Sequence, residues 1–195
     1  MRSRDRQSYE RFGKVFFVTT TAVGFVNIFD LEASRRIVVD NLTFYQNRGD
    51  FTLIAWVLMP NHLHLVVRIK GELSISQIIG NLKRITSRQI GDWLSRMGNH
   101  KIVETLETKA KLEPSRHSKV WKPRFDCLVI TDENTLREKI DYIHYNPVRG
   151  GLVSNPADWV YGSARDSAGF SETLVPVDVE WNCLGHKNLP SGKGS

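Results

Sequence analysis

An α+β fold built on one antiparallel sheet is the class this sequence predicts, and three observations carry the prediction. Four runs rich in β-branched and aromatic residues read as strands, and long stretches of helical periodicity separate them. Two of the apolar runs, 51–59 and 62–69, are joined by nothing more than a Pro60-Asn61 break, which reads as a strand pair. The full order is strand, helix, strand, strand, helix, strand, followed by one more helix. That is the ferredoxin-like βαββαβ pattern, with two helices on one face of the sheet, the other face free, and an added C-terminal helix.

The first strand is Lys14 to Thr21, Lys-Val-Phe-Phe-Val-Thr-Thr-Thr. Asp30 can cap a helix from Leu31 to about Asn47, with Leu31, Val38, Leu42 and Tyr45 along one side and Gly49 just past its end. The second strand, Phe51 to Met59, is apolar on both faces and is expected at the centre of the sheet. After the third strand, Ser74 opens a long amphipathic helix in which Ile75, Ile78, Ile79, Leu82, Ile85, Trp93 and Met97 recur at helical spacing. Lys83, Arg84, Arg88 and Arg96 occupy its other sides. Residues 98–119 lose this periodicity and read as a charged insertion, loop or helix. The fourth strand spans Val120 to Ile130, with Pro123 pointing to an edge or an irregular start. Thr131 or Asp132 caps the last helix, which is expected to end near Asn146 because Pro147 follows.

Composition bounds the function. The chain has 195 residues, 41% hydrophobic and 25% charged, enough for one domain with a sizeable core. Lys and Arg number 27 against 21 Asp and Glu, for a net charge of +6 and a pI near 9.4, which favours a polyanionic partner. No apolar run approaches the roughly 18 residues of a spanning helix, and the first residues lack the apolar core of a signal peptide. These features predict a cytoplasmic protein with no membrane partner. Cys127 and Cys183 stand far apart in no metal-binding pattern and read as small packing residues.

The chemistry begins at the third strand. Alternation puts His62, His64, Val66 and Arg68 on one face and Leu63, Leu65, Val67 and Ile69 on the other. The two histidine Cα atoms are then roughly 7 Å apart, and both imidazoles can reach one divalent cation. An isolated His-x-His also fits a half-buried strand capping an open sheet face.

The last helix supplies the rest. Leu136, Ile140 and Ile143 form its apolar stripe. At 100° per residue, Tyr142 lies about 125° from the stripe centre and Asn146 about 40° from Tyr142, so phenol and amide are neighbours. Two histidines and a carboxamide oxygen can bind a metal, and a tyrosine hydroxyl can attack a phosphate polarised by it. A phosphotyrosine bond conserves the energy of the broken phosphodiester for rejoining. A tyrosine on a helix flank is otherwise a packing residue with its hydroxyl at the surface.

Met59-Pro60-Asn61-His62-Leu63-His64-Leu65, taken with Asp141-Tyr142-Ile143-His144-Tyr145-Asn146-Pro147-Val148-Arg149-Gly150-Gly151-Leu152-Val153, resembles the REP-associated tyrosine transposases. These belong to the HUH single-tyrosine transposases, which cut and rejoin single-stranded DNA. Trp121-Lys122-Pro123-Arg124-Phe125 and Asp158-Trp159-Val160-Tyr161-Gly162-Ser163 extend the resemblance, which covers roughly residues 12–169. It implies that His62 and His64 are metal ligands with Asn146 as a third, and that Tyr142 is the nucleophile, forming a 5′-phosphotyrosine link and freeing a 3′-hydroxyl. It further implies Mg²⁺ or Mn²⁺, a hairpin-forming DNA such as a repetitive extragenic palindrome, and a homodimer. Related insertion-sequence transposases place Gln where this chain has Asn146, so the shorter side chain must sit closer or bind more weakly. Imidazole suits Mn²⁺, Zn²⁺ or Ni²⁺ better than Mg²⁺, which prefers oxygen.

The same residues leave two other readings open. A basic ferredoxin-like sheet can hold nucleic acid without cutting it, and metal-dependent hydrolysis by water would leave Tyr142 unexplained. Lys83, Arg84, Arg88, Arg124, Arg149, Trp159 and Arg165 are the candidate DNA contacts, through phosphates or stacking. His144, two residues from Tyr142, faces away and reads as structural or DNA-proximal. The domain is expected over 1–170, with 171–195 as a loosely held tail.

Overall fold

The computed structural model describes residues 14–112 and 120–180. Cys183, the last part of the 98–119 insertion and most of the expected tail lie outside them. The elements are β1 (Val15–Thr21), α1 (Glu32–Asn47), β2 (Phe51–Met59), β3 (His62–Ile69), α2 (Ile75–Arg96), α3 (His100–Lys111), β4 (Asp126–Val129), α4 (Glu133–Arg149) and a short α5 (Ala164–Ser167). The four strands form one antiparallel sheet in the order β2-β3-β1-β4, as the ferredoxin-like pattern requires.

Each face of the sheet carries its own core. On one side Phe16, Val18, Leu53, Trp56, Leu58, Leu63, Leu65 and Val67 meet the inner faces of α1 and α2. On the other, Val15, Ile54, Ala55, Val57, Met59 and Val66 pack against Leu136, Ile140 and Ile143 of α4. The face expected to be free is therefore partly covered by α4, which lies over β2 and β3. A register shift between Leu53 and Ala55 lets β2 present apolar side chains to both cores.

Burial on both faces is why β2 reads as a central strand, yet it is an edge strand. The chain after α4 seals that edge: Tyr161 O accepts from Leu58 N, Trp56 O accepts from Ser163 N, and Asp178 N donates to Leu53 O. Gly162 is needed there, because a Cβ would stand 3.2 Å from Trp56 O. Val175 is fully buried and its carbonyl accepts from the Trp56 indole. The first residues of the expected loose tail are thus docked, since an edge strand leaves backbone groups that need partners.

Several boundaries differ from expectation for local reasons. Asp30 does not cap α1; it closes a short 3₁₀ turn, Ile28–Asp30, and pairs with Arg35. Ser74 caps α2 with Gln77 in a reciprocal capping box. The apolar stripe of α2 continues through Ile90 and Leu94, leaving Met97 exposed. Asp132 caps α4, which runs through Pro147 to Arg149 because the proline sits in the last turn with its ring buried. β4 is shorter than expected: Trp121 only bridges Ala22, and Pro123 interrupts pairing before Asp126. The beginning of the 98–119 insertion is helix α3, packed on α2 and on the turn at Val23–Phe25.

Candidate active site

β3 and α4 build the site between them. His62 and His64 project from the sheet face that α4 covers, their ring centroids 4.7 Å apart. Each ring is held through Nδ1: His62 Nδ1 lies 2.7 Å from Asn61 Oδ1, and His64 Nδ1 lies 2.7 Å from Thr19 Oγ1. Phe17, beside Thr19 on β1, stacks on the His64 ring at 5.5 Å. With Nδ1 of each ring tied to an oxygen, Nε2 is the ring nitrogen left to face a ligand. His64 is 4% exposed and its Nε2 is buried without a hydrogen-bond partner.

α4 brings the other two residues to this pair. Its apolar stripe sets the helix rotation, and that rotation places the Tyr142 ring 5.1 Å from the His64 ring and 5.9 Å from Phe17, edge-on to both. Tyr142 is 38% exposed, so one side of the phenol is open. The side chain of Asn146, one turn on, hydrogen-bonds His62. Arg149, nearly one further turn on, holds its guanidinium 5.4 Å from the Tyr142 ring centroid. Among the described residues no three His, Cys, Asp or Glu side chains converge as a metal cluster.

The family model described as "Transposase IS200 like" matches residues 27–146, a span that includes both histidines, the tyrosine and the asparagine. The chain belongs to this family of transposases. It is 25% identical over 130 residues to the REP-associated tyrosine transposase of Escherichia coli, covering 66% of this chain and 62% of that one. A Haemophilus influenzae protein assigned to the same kind of transposase is 29% identical over 114 residues, 58% of each chain. The aligned part therefore spans about three fifths of these relatives. A solved REP-associated tyrosine transposase bound to a REP hairpin superposes with a TM-score of 0.60 at 20% identity, covering 91% of this chain and 93% of that one. It shares the fold.

The histidines of this family member are held neutral. Burial pushes the pKa of His62 down against the opposing hydrogen bond to Asn146. His64 is lowered to about 3, first by burial and then by neighbouring His62. An unfolded histidine titrates near 6.5, so between the two values the unfolded chain binds a proton that the metal-free folded state refuses. The stability this contributes is complete above about pH 6.5 and is lost as pH falls towards 3, at up to about 1.4 kcal/mol per pH unit. Denaturant midpoints in chelator at descending pH should show that loss, and His64→Gln should flatten it. A slope unchanged by the substitution would contradict the burial argument.

The candidate DNA contacts divide. Arg149 stands at the site, and Arg124 is exposed. Arg84 and Arg88 are exposed on α2, but α2 packs on the opposite side of the sheet from His62 and His64. They do not border the candidate metal site. Lys83 is 6% exposed and turned inward: its Nζ donates to the carbonyls of Lys122, Pro123 and Arg124 at 2.6, 3.0 and 3.4 Å. Lys83→Met should cost about 3 kcal/mol by leaving those buried carbonyls unsatisfied, while the salt dependence of DNA binding stays as in the wild type. A lower slope with unchanged stability would return Lys83 to the DNA surface.

Trp159 donates its indole N–H to Leu58 O at 3.1 Å, and Arg165 donates to Ala157 O while lying over Phe170. Trp159 fastens the closing segment to the domain, and Arg165 braces that segment internally. His144 does the same, its Nε2 3.1 Å from Ser163 Oγ, with burial lowering its pKa.

Thr19 and Asn61 were not singled out from the sequence, although each engages one histidine. The signal for Asn61 lay in its position beside His62. Thr19 is found only through the β1–β3 register, which sets it opposite His64.

Proposed function

We propose that this transposase cuts and rejoins single-stranded, hairpin-forming DNA, with Tyr142 as nucleophile and a divalent metal, Mg²⁺ or Mn²⁺, at His62, His64 and Asn146. The observation that carries the reading is the packing of Tyr142 against His64, with Asn146 bonded to His62, all within one chain.

The donor set fits a divalent cation. The unpartnered Nε2 of His64 is a ligand in waiting, both Nδ1 atoms have oxygens to hold the ring orientation, and the Asn146 carboxamide adds oxygen to two nitrogens. When bound, the ion supplies Lewis-acid polarisation of a phosphodiester oxygen.

Tyr142 Oη attacks phosphorus and forms the O–P bond. The P–O3′ bond breaks, the electron pair leaving with the 3′ oxygen. The phenol gives up one proton to solvent and the 3′ oxygen takes one, so protons balance. The reverse step, attack by a 3′-hydroxyl on the phosphotyrosine, rejoins a strand and restores Tyr142. Arg149, beside the phenol, is placed to meet the phosphate charge.

The decisive experiment mixes the full chain with a labelled pool of single-stranded hairpin DNAs and Mn²⁺, denatures, and follows the label. Label migrating with the protein establishes covalent strand transfer. Binding without any adduct across the pool would make this a DNA-holding module.

A further inference from the structure

The turn at Val23–Phe25 holds an unexpected residue. Phe25 is the one non-glycine among the described residues with a positive φ, +56°, directly after Gly24 at the same angle. An aromatic side chain there is strained, because Cβ crowds the following carbonyl in the left-handed region. Strain of this kind is tolerated in a core when burial offsets it, but the Phe25 side chain has no such return: the residue is 61% exposed. Such outliers concentrate at ligand sites, where surrounding contacts hold them.

The surroundings here do hold it. Val23 N donates to Val120 O, Ala22 N donates to Asn61 O, and Asn61 Nδ2 donates to Phe25 O at 3.4 Å. The other end of that Asn61 side chain is the oxygen at His62 Nδ1. Phe25 is therefore two hydrogen bonds from the candidate metal site. Lys122 places its ammonium 3.6 Å from the Phe25 ring centroid. With the ammonium over one face of the ring and the residue still 61% exposed, ring and cation form the pairing that a single strand recognises, one for a base and one for its phosphate.

We infer that Phe25 and Lys122 form a stacking platform for an unpaired nucleotide flanking the phosphodiester cut at Tyr142. This rests on the cleavage reading above and adds where the unpaired strand is gripped. Because every base has a π-face, the grip is tolerant of sequence.

The test uses the full chain and two probes, fluorescein-labelled oligo(dT) and the labelled hairpin pool. Glycine accepts a positive φ freely, so Phe25→Gly should keep or raise the thermal midpoint while weakening oligo(dT) binding about ten- to hundred-fold. Phe25→Trp should restore binding, and Lys122→Gln should lower the salt slope by about 0.7. Should the glycine variant fold poorly, Phe25→Asn repeats the measurement with a residue at ease in this conformation. Unchanged affinity in a folded Phe25→Gly or Phe25→Asn protein overturns the platform. If that result comes with a wild-type covalent adduct on the hairpin pool, the cleavage reading stands and the platform alone falls. No oligo(dT) binding together with no adduct removes both.

Discussion

Tyr142→Phe should abolish strand cleavage and covalent adduct formation while leaving the protein folded and bound to hairpin DNA. The substitution removes one oxygen and keeps the ring that lies edge-on to His64 and Phe17 and beneath the Arg149 guanidinium. A half-exposed hydroxyl contributes little to stability, so the midpoint should shift by no more than about 0.5 kcal/mol. The chemical loss should reach roughly four orders of magnitude or more, the scale of deleting a covalent nucleophile. That asymmetry separates chemistry from folding. A Phe variant that still cuts at the wild-type rate would take tyrosine out of the mechanism, and the tyrosines at positions 145 and 161 offer no substitute. The Tyr142 ring is the one packed against His64, Tyr145 is 51% exposed, and the Tyr161 hydroxyl is bonded to Glu32.

His64→Ala should eliminate metal-dependent cleavage and lower metal affinity by more than the ten- to hundred-fold that losing a supporting outer-shell group costs. The substitution also lowers stability, because the imidazole is buried, stacks on Phe17 and engages Thr19. His64→Ala leaves a cavity and an unpaired hydroxyl, and a cost of about 2 to 3 kcal/mol is expected from those terms. His62→Ala, at the more open position, should lose metal with a smaller structural penalty. Calorimetric titration of Mn²⁺ into wild type and both variants reads affinity without reference to activity. Cleavage undiminished in chelator would overturn the metal assignment, whatever the variants do.

The main parts of the site were readable from residue order because they obey two short-range periods. Period two in β3 aligns His62 with His64, and the turn of α4 aligns Tyr142 with Asn146. The cationic contacts were less readable. Charge on a helix says which side is polar but not what that side meets, so Lys83 counts as surface until the 122–124 backbone is seen wrapped around it. The strain at Phe25 has no sequence signature at all, since Gly24-Phe25 is compatible with many turns.

The sequence by itself determined the βαββαβ order and which side chains share a face within each element, because those follow from local propensity and the period of a single strand or helix, while its motifs carried the family resemblance. Tertiary structure decided what depends on distant segments meeting. It made β2 an edge strand sealed by residues 161–163 and 178, laid α4 on the open sheet face, and brought its Tyr142 to His64. The physical reason is that apolar burial is non-directional. A strand buried on both faces reads the same whether another strand or the returning chain completes its hydrogen bonds.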